Sequence, residues 1–170
     1  MTVKWIGAII IIASCGSFGF SIAAAYKREE QTLLSLIRAV EFMICELEHR
    51  VTPLPDLCRM AGMEARGCVG EALQSLSVRL EQQISSDASK CMAEVLACAN
   101  HIPWRTRTNL NQLGQTLGKF ALSGQVSGFK AVAALCQRDL ASLSHNKDAK
   151  LRSYRTLGIC AGVALVILFF

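Results

Sequence analysis

The chain has 170 residues, 52% of them hydrophobic, and 18 Lys and Arg against 13 Asp and Glu give a net charge of +5. That is one domain's worth of chain, and a mean hydropathy of +0.35 is high for a soluble globular protein, so membrane segments are sought first. The eight cysteines, at 15, 45, 58, 68, 91, 98, 136 and 160, include no C-x-x-C pair; in a reduced compartment they read as small buried hydrophobes and not as a disulfide framework.

Trp5 to Tyr26 runs 22 residues without a charge, long enough to cross a hydrocarbon core of about 30 Å as a helix rising about 1.5 Å per residue. It carries small-residue faces at Ala13/Ser17 and Gly19/Ala23, which let helix backbones approach closely in lipid. Lys27 and Arg28 follow it directly. Apolar residues then recur at Leu33, Leu36/Ile37, Val40, Met43/Ile44, Leu47 and Val51, the stripe of an amphipathic helix. No Pro or Gly separates Tyr26 from Arg50, so the first membrane segment and this helix read as one rod. It stops at Thr52-Pro53-Leu54-Pro55, where Thr52 is expected to cap a short helix reaching about Ala61.

Gly62 and Gly67 are expected to bracket a turn. Val69, Ala72, Leu73, Leu76, Leu80 and Ile84 mark the next helix, and Ser85-Ser86-Asp87 caps another with Met92, Val95, Leu96 and Ala99 inward. After His101-Ile102-Pro103-Trp104 turns the chain, Leu110, Leu113 and Leu117 mark a helix that Gly114 and Gly118 would end. The last stripe is Val126, Phe129, Val132/Ala133, Cys136, Leu140 and Leu143. It leads without a Pro into Thr156–Phe170, 15 uncharged residues that close the sequence and span about 22 Å as a helix. Arg152, Tyr154 and Arg155 reaching to the interface, or local thinning of the bilayer, would let it cross. Gly158 and Gly162 form a further small-residue face there. The expected fold is all-α. Residues 27–152 form an antiparallel bundle of five to six helices, flanked by transmembrane helices over 1–26 and 153–170 that continue the first and last bundle helices. The small-residue faces also allow copies to pair as a homo-oligomer.

Basic residues flank the bundle side of both apolar segments: Lys27 and Arg28 after the first, Lys150, Arg152 and Arg155 before the second. This bias places the domain in the cytoplasm. Ile12-Ala13-Ser14-Cys15 offers the alternative of a lipoprotein cleavage box, with the helical domain outside. Within the domain, residues 27–94 carry 8 basic and 11 acidic side chains and residues 95–155 carry 9 and 2. Either the halves pack on each other with complementary charge and their basic groups meet anionic lipid, or they present a docking face. Nucleic acid is not expected, because the positives are dispersed and not clustered on one patch.

Catalytic chemistry is not indicated. Gly118-Lys119-Phe120 lacks the glycine spacing and the hydroxyl of a phosphate-binding loop. Cys45/His49 and Cys98/His101 have ligand spacing for a zinc site in a helical regulator, although packing and capping explain them more simply. Glu46 and Glu48, two apart, point to different helix faces and form no acid–base dyad. No enzyme activity, cofactor or resident metal is expected.

The ordered set of pieces resembles the stage III sporulation protein AB family of endospore-forming bacteria. The pieces are Ile9–Ala13 with Gly19-Phe20, Leu33–Glu48 followed by Thr52-Pro53-Leu54, Leu113-Gly114-Gln115-Thr116-Leu117-Gly118, and Tyr154-Arg155-Thr156-Leu157-Gly158 with Ala161-Gly162 and Leu165–Leu168. The resemblance implies a membrane platform or scaffold subunit of a secretion-like complex between mother cell and forespore. It would sit in the engulfment membrane on the mother-cell side, with a cytoplasmic bundle similar to type II secretion platform protein F. The implied partners are a cytoplasmic ATPase of the stage III sporulation protein AA type and other membrane subunits. This chain departs from the family in having Lys119-Phe120-Ala121-Leu122 after Gly118, where an acidic residue is usual.

Overall fold

The computed structural model describes residues 2–50, 52–82, 87–99, 101–117 and 124–144, with side chains of the first helix at Ser21 and from Ala24 onward. These residues form α1 (Thr2–His49), α2 (Leu54–Glu64), α3 (Cys68–Glu81), α4 (Ala88–Cys98) and α5 (Trp104–Thr116), and α6 over 124–144. Among the described residues there is no strand, in agreement with the all-α bundle expected. The chain divides into two compact units, Met1–Arg28 with Ala141–Phe170, and Glu29–Leu140. Among the residues searched, no helix is long and apolar enough to cross a membrane. Thr156–Phe170 and the side chains of 5–20 lie outside the described residues.

In the Glu29–Leu140 unit the 3.6-residue stripe is the core. Leu33, Leu36, Val40 and Met43 of α1 are fully buried, together with Leu57, Leu73, Leu76, Met92, Leu110, Leu113 and Phe129. Each such side chain contributes about 1.5–3 kcal/mol relative to exposure, so the stripe residues, rather than intrinsic helix propensity, hold the helices in place.

The boundaries have local causes, and some differ from expectation. The Thr52 hydroxyl donates back to Glu46 Oε2 at 3.2 Å instead of capping α2, whose N-cap is Pro53 with no side-chain bond. Pro53 itself supplies a fixed φ that suits a helix start. The turn expected between Gly62 and Gly67 is narrower. Gly62 lies inside α2, and the turn is Ala65–Gly67, with Gly67 at φ 68, where a side chain would be strained. Gly62 serves a close approach: a Cβ on Gly70 would stand 2.8 Å from Gly62 O and 2.5 Å from Ala65 O. α4 begins as expected, with the Asp87 carboxylate accepting from Ser89 N at 3.0 Å. Gly114 does not end α5. It is buried within it, and a Cβ there would stand 2.6 Å from Met92 Cβ. The cysteines are also divided. Cys58, Cys91 and Cys136 are buried, Cys68 is half-buried, and Cys45 and Cys98 are exposed.

Candidate interaction surface

The Glu29–Leu140 unit has two ends, fixed by antiparallel neighbours. α2 returns along α1: Thr52 meets Glu46 at one level, and Ser35 meets Arg66 at the other. α5 and α6 likewise run in opposite directions, with Asn109 opposite Asp139 and Thr116 opposite Gly128. Glu29, the α2–α3 turn, the start of α5 and Asp139 therefore gather at one end. Arg50, Thr52, Pro53, the end of α5 and the start of α6 gather at the other.

The first end is tied by polar groups. Arg105 Nε lies 3.5 Å from Glu29 Oε1 and Arg105 Nη1 lies 3.6 Å from Asp139 Oδ1. Asn109 Nδ2 donates to Asp139 Oδ2 at 2.9 Å. One guanidinium so links α1, α5 and α6. It also sits 5.2 Å from the centre of the Trp104 ring, within cation–π range. The Arg105 side chain is 25% exposed and those of Glu29 and Asp139 are 18% and 33% exposed, so water screens the pairs only partly. Trp104 itself is 68% exposed, although a large aromatic normally gains from burial. Beside this brace, the Ser35 hydroxyl donates to Arg66 O at 3.0 Å and accepts from Arg66 N at 2.8 Å. It holds the α2–α3 turn to α1 through backbone atoms alone.

The other end is more exposed. Lys130 Nζ lies 2.8 Å from Glu48 Oε1, and that hydrogen bond, then the charge of Lys130, holds the Glu48 carboxyl below its ordinary value. Back at the start of α5, Arg107 is a second donor to Leu96 O, which also accepts from Ala99 N at 3.2 Å in the last turn of α4. Of the four described cations after residue 94, Arg105, Arg107 and Lys130 are engaged within the fold. Arg138 is exposed. The acidic and basic halves therefore meet each other, as the packing alternative expected, through Arg105–Glu29 and Lys130–Glu48.

The residues singled out from sequence fall as follows. Lys27 and Arg28 are exposed on α1. Ser17, Gly19 and Ala23 lie on the α1 backbone, with their side-chain environment outside the described residues, as are Lys150, Arg152, Arg155, Gly158 and Gly162 altogether. Cys45, His49, Cys98 and His101 are all exposed, and among the described residues no three potential ligands cluster for a metal ion. Burial pushes the Cys58 and Cys136 thiols from 9.0 up to about 12, with Asp139 adding to the rise at Cys136, so neither is a thiolate nucleophile at neutral pH. The Cys68 thiol is also raised, by burial first.

Sequence reasoning missed Ser35, Gly70, Asn109 and the Arg105 brace. Ser35 did carry a signal, since a hydroxyl between Leu33 and Leu36 on a buried stripe needs a partner. Nothing in the sequence pairs Arg105 with Glu29, 76 positions away.

The family model described as stage III sporulation protein AB (spore_III_AB) matches residues 4–170. A solved structure titled stage III sporulation protein AB superposes with a TM-score of 0.62 at 17% sequence identity, over 72% of this chain and 98% of that chain. At that identity the likeness is one of fold. Among curated proteins none matches.

Proposed function

Since the chain belongs to the stage III sporulation protein AB family, we propose that it is a membrane-anchored platform subunit of a secretion-like sporulation complex, holding a helical domain in the mother-cell cytoplasm to receive an ATPase. The observation that carries this reading is the reach of the family match. It covers the bundle and both apolar segments, so the uncharged ends belong to the family pattern as much as the bundle does. Their basic flanks, Lys27 and Arg28 on one side and Lys150, Arg152 and Arg155 on the other, favour the cytoplasmic side for the domain. The proposed role is one of binding. Arg105, Glu29, Asp139 and Asn109 fix helices relative to one another.

The test is co-purification of the full-length chain, in detergent, with an ATPase of the stage III sporulation protein AA type from the same genome. The expected result is a complex that survives gel filtration and is lost when residues 27–152 are replaced by an unrelated helical domain. Co-purification that persists after the replacement would assign any contact to the membrane segments, and no complex with the natural chain would remove ATPase recruitment from the reading.

A further inference from the structure

We propose that the outer face of α2 and α3 is the docking surface for a basic protein segment, one that sets Lys or Arg around an apolar side chain. The inference deepens the reading of the chain as a platform that binds a protein partner, and names the surface of the bundle that receives it.

The two helices present matching stripes. Asp56, Arg59 and Met63 follow one another on α2 at spacings of three and four, and Glu71, Gln74, Val78 and Glu81 do so on α3, so each set lies along one side of its helix. Two contacts bring those sides together. Arg59 Nη1 lies 3.4 Å from Glu81 Oε1, and Gln74 Nε2 donates to Gly62 O at 3.4 Å. The opposite sides, Leu57 and Ala61 of α2 with Ala72 and Leu76 of α3, are buried in the core. Met63 and Val78 therefore stand outward on one surface, 70% and 49% exposed. A single exposed apolar side chain is ordinary. Here two share a face among carboxylates, and one is a methionine, whose flexible thioether adapts to a partner's shape.

Charge selects the occupant. Asp56 and Glu81 share the one guanidinium of Arg59, which leaves a negative charge over. Arg79 is taken by Glu94 of α4. Glu64 and Glu71 are exposed and, among the described residues, in no ion pair. Against these stands Arg66, exposed in the turn between the helices. The face is thus negative on a chain whose total is +5. The basic half of the bundle does not relieve it, because Arg105 and Lys130 meet the α1 carboxylates Glu29 and Glu48 instead. A surface of this sign repels anionic lipid headgroups and nucleic-acid phosphates. It favours a segment whose cations pair with the carboxylates while its apolar side chain covers Met63 and Val78.

The test is photo-crosslinking of the full-length chain in its sporulating host. p-Benzoylphenylalanine replaces Met63, Val78 or, as a control, Gln112, which is exposed on α5. The expected result is the same protein adduct at positions 63 and 78 and none at 112, with a cross-linked peptide richer in Lys and Arg than in Asp and Glu. Glu64→Lys/Glu71→Lys should abolish the adduct and Glu64→Gln/Glu71→Gln should reduce it, both with the parent's circular dichroism. Glu41→Lys, a reversal at an exposed carboxylate of α1, should leave it unchanged. No adduct at 63 and 78, a peptide without basic excess, a peptide from a second copy, or an adduct that survives the double reversal overturns the proposal. A complex in the co-purification above with no adduct here removes this surface alone and leaves the platform reading standing. An adduct to a basic segment of a protein other than the ATPase upholds the surface and changes the partner.

Discussion

The seam between α2 and α3 and the brace joining α1, α5 and α6 hold the same bundle in opposite ways. At the seam, Gly62 and Gly70 bring backbones together, and the atoms a Cβ would meet at Gly70 are carbonyl oxygens at 2.5 and 2.8 Å. Nothing there can rotate out of the way. At the brace, long side chains span the gap between helices at 3.5 and 3.6 Å with water at hand, and each can change rotamer. The first contact sets a spacing. The second sets which groups face outward at one end. A substitution should therefore be costly at the seam and mild but visible in surface behaviour at the brace.

Gly70→Ala breaks the comparison most directly. Overpacking against fixed backbone costs about 1–3 kcal/mol. In thermal unfolding of the isolated 27–152 fragment, Gly70→Ala should lower Tm further than Ser35→Ala or Arg105→Met does. A fragment as stable as the parent would mean that the helices separate freely and that the seam sets no spacing.

Ser35→Ala comes next. It removes both partners of the Arg66 peptide group, at 2.8 and 3.0 Å, and an abandoned buried backbone group costs about 1–3 kcal/mol. Because Arg66 is an exposed residue, water can replace part of the loss, and a value at the lower end is expected from urea unfolding with an unchanged m-value.

Arg105→Met should cost less, about 1 kcal/mol once partial exposure of the pairs is counted. Its signature is salt dependence. The parent should lose more stability than the variant as ionic strength rises, since the variant lacks the Arg105 pairs with Glu29 and Asp139 that salt would screen. Equal salt responses would show that Arg105 acts through packing.

The last effect concerns pH and is absent near neutrality. Cys58 and Cys136 have folded pKa values raised from 9.0 to about 12. Between these values the unfolded chain has lost protons that the folded chain keeps, so stability is unaffected below about pH 8 and falls as pH rises through 9. The Cys58→Ala/Cys136→Val double variant should flatten that alkaline slope in a pH series of urea midpoints.

What the sequence made legible follows from the same contrast. The stripes Leu33–Met43 and Val126–Cys136 could be read because burial imposes a 3.6-residue period on apolar residues, and the buried core follows them. Gly62 and Gly114 could not be read correctly. A glycine that ends a helix and one that admits a neighbouring helix look alike in sequence, and only the contact with Gln74 and Gly70, or with Met92, distinguishes them. Asp87 was legible as a cap because its partner, Ser89 N, is two residues away. The brace was not, because Glu29, Arg105 and Asp139 are distant in the chain and charge alone does not say which cation meets which carboxylate. Cys45 and Cys98 are exposed against the general tendency of free cysteine to be buried, which is why the sequence reads them as packing residues.

Those two cysteines supply the most direct test of the central claim, that both apolar ends hold the bundle at a membrane with its surface in the cytoplasm. Full-length chains retaining Cys45 alone or Cys98 alone are treated, in intact cells, with a membrane-impermeant maleimide, and again after permeabilisation. A cytoplasmic bundle predicts no labelling of either in intact cells and rapid labelling of both once the membrane is opened. Labelling of Cys45 or Cys98 in intact cells would contradict it and place the domain outside, as the alternative cleavage at Cys15 would.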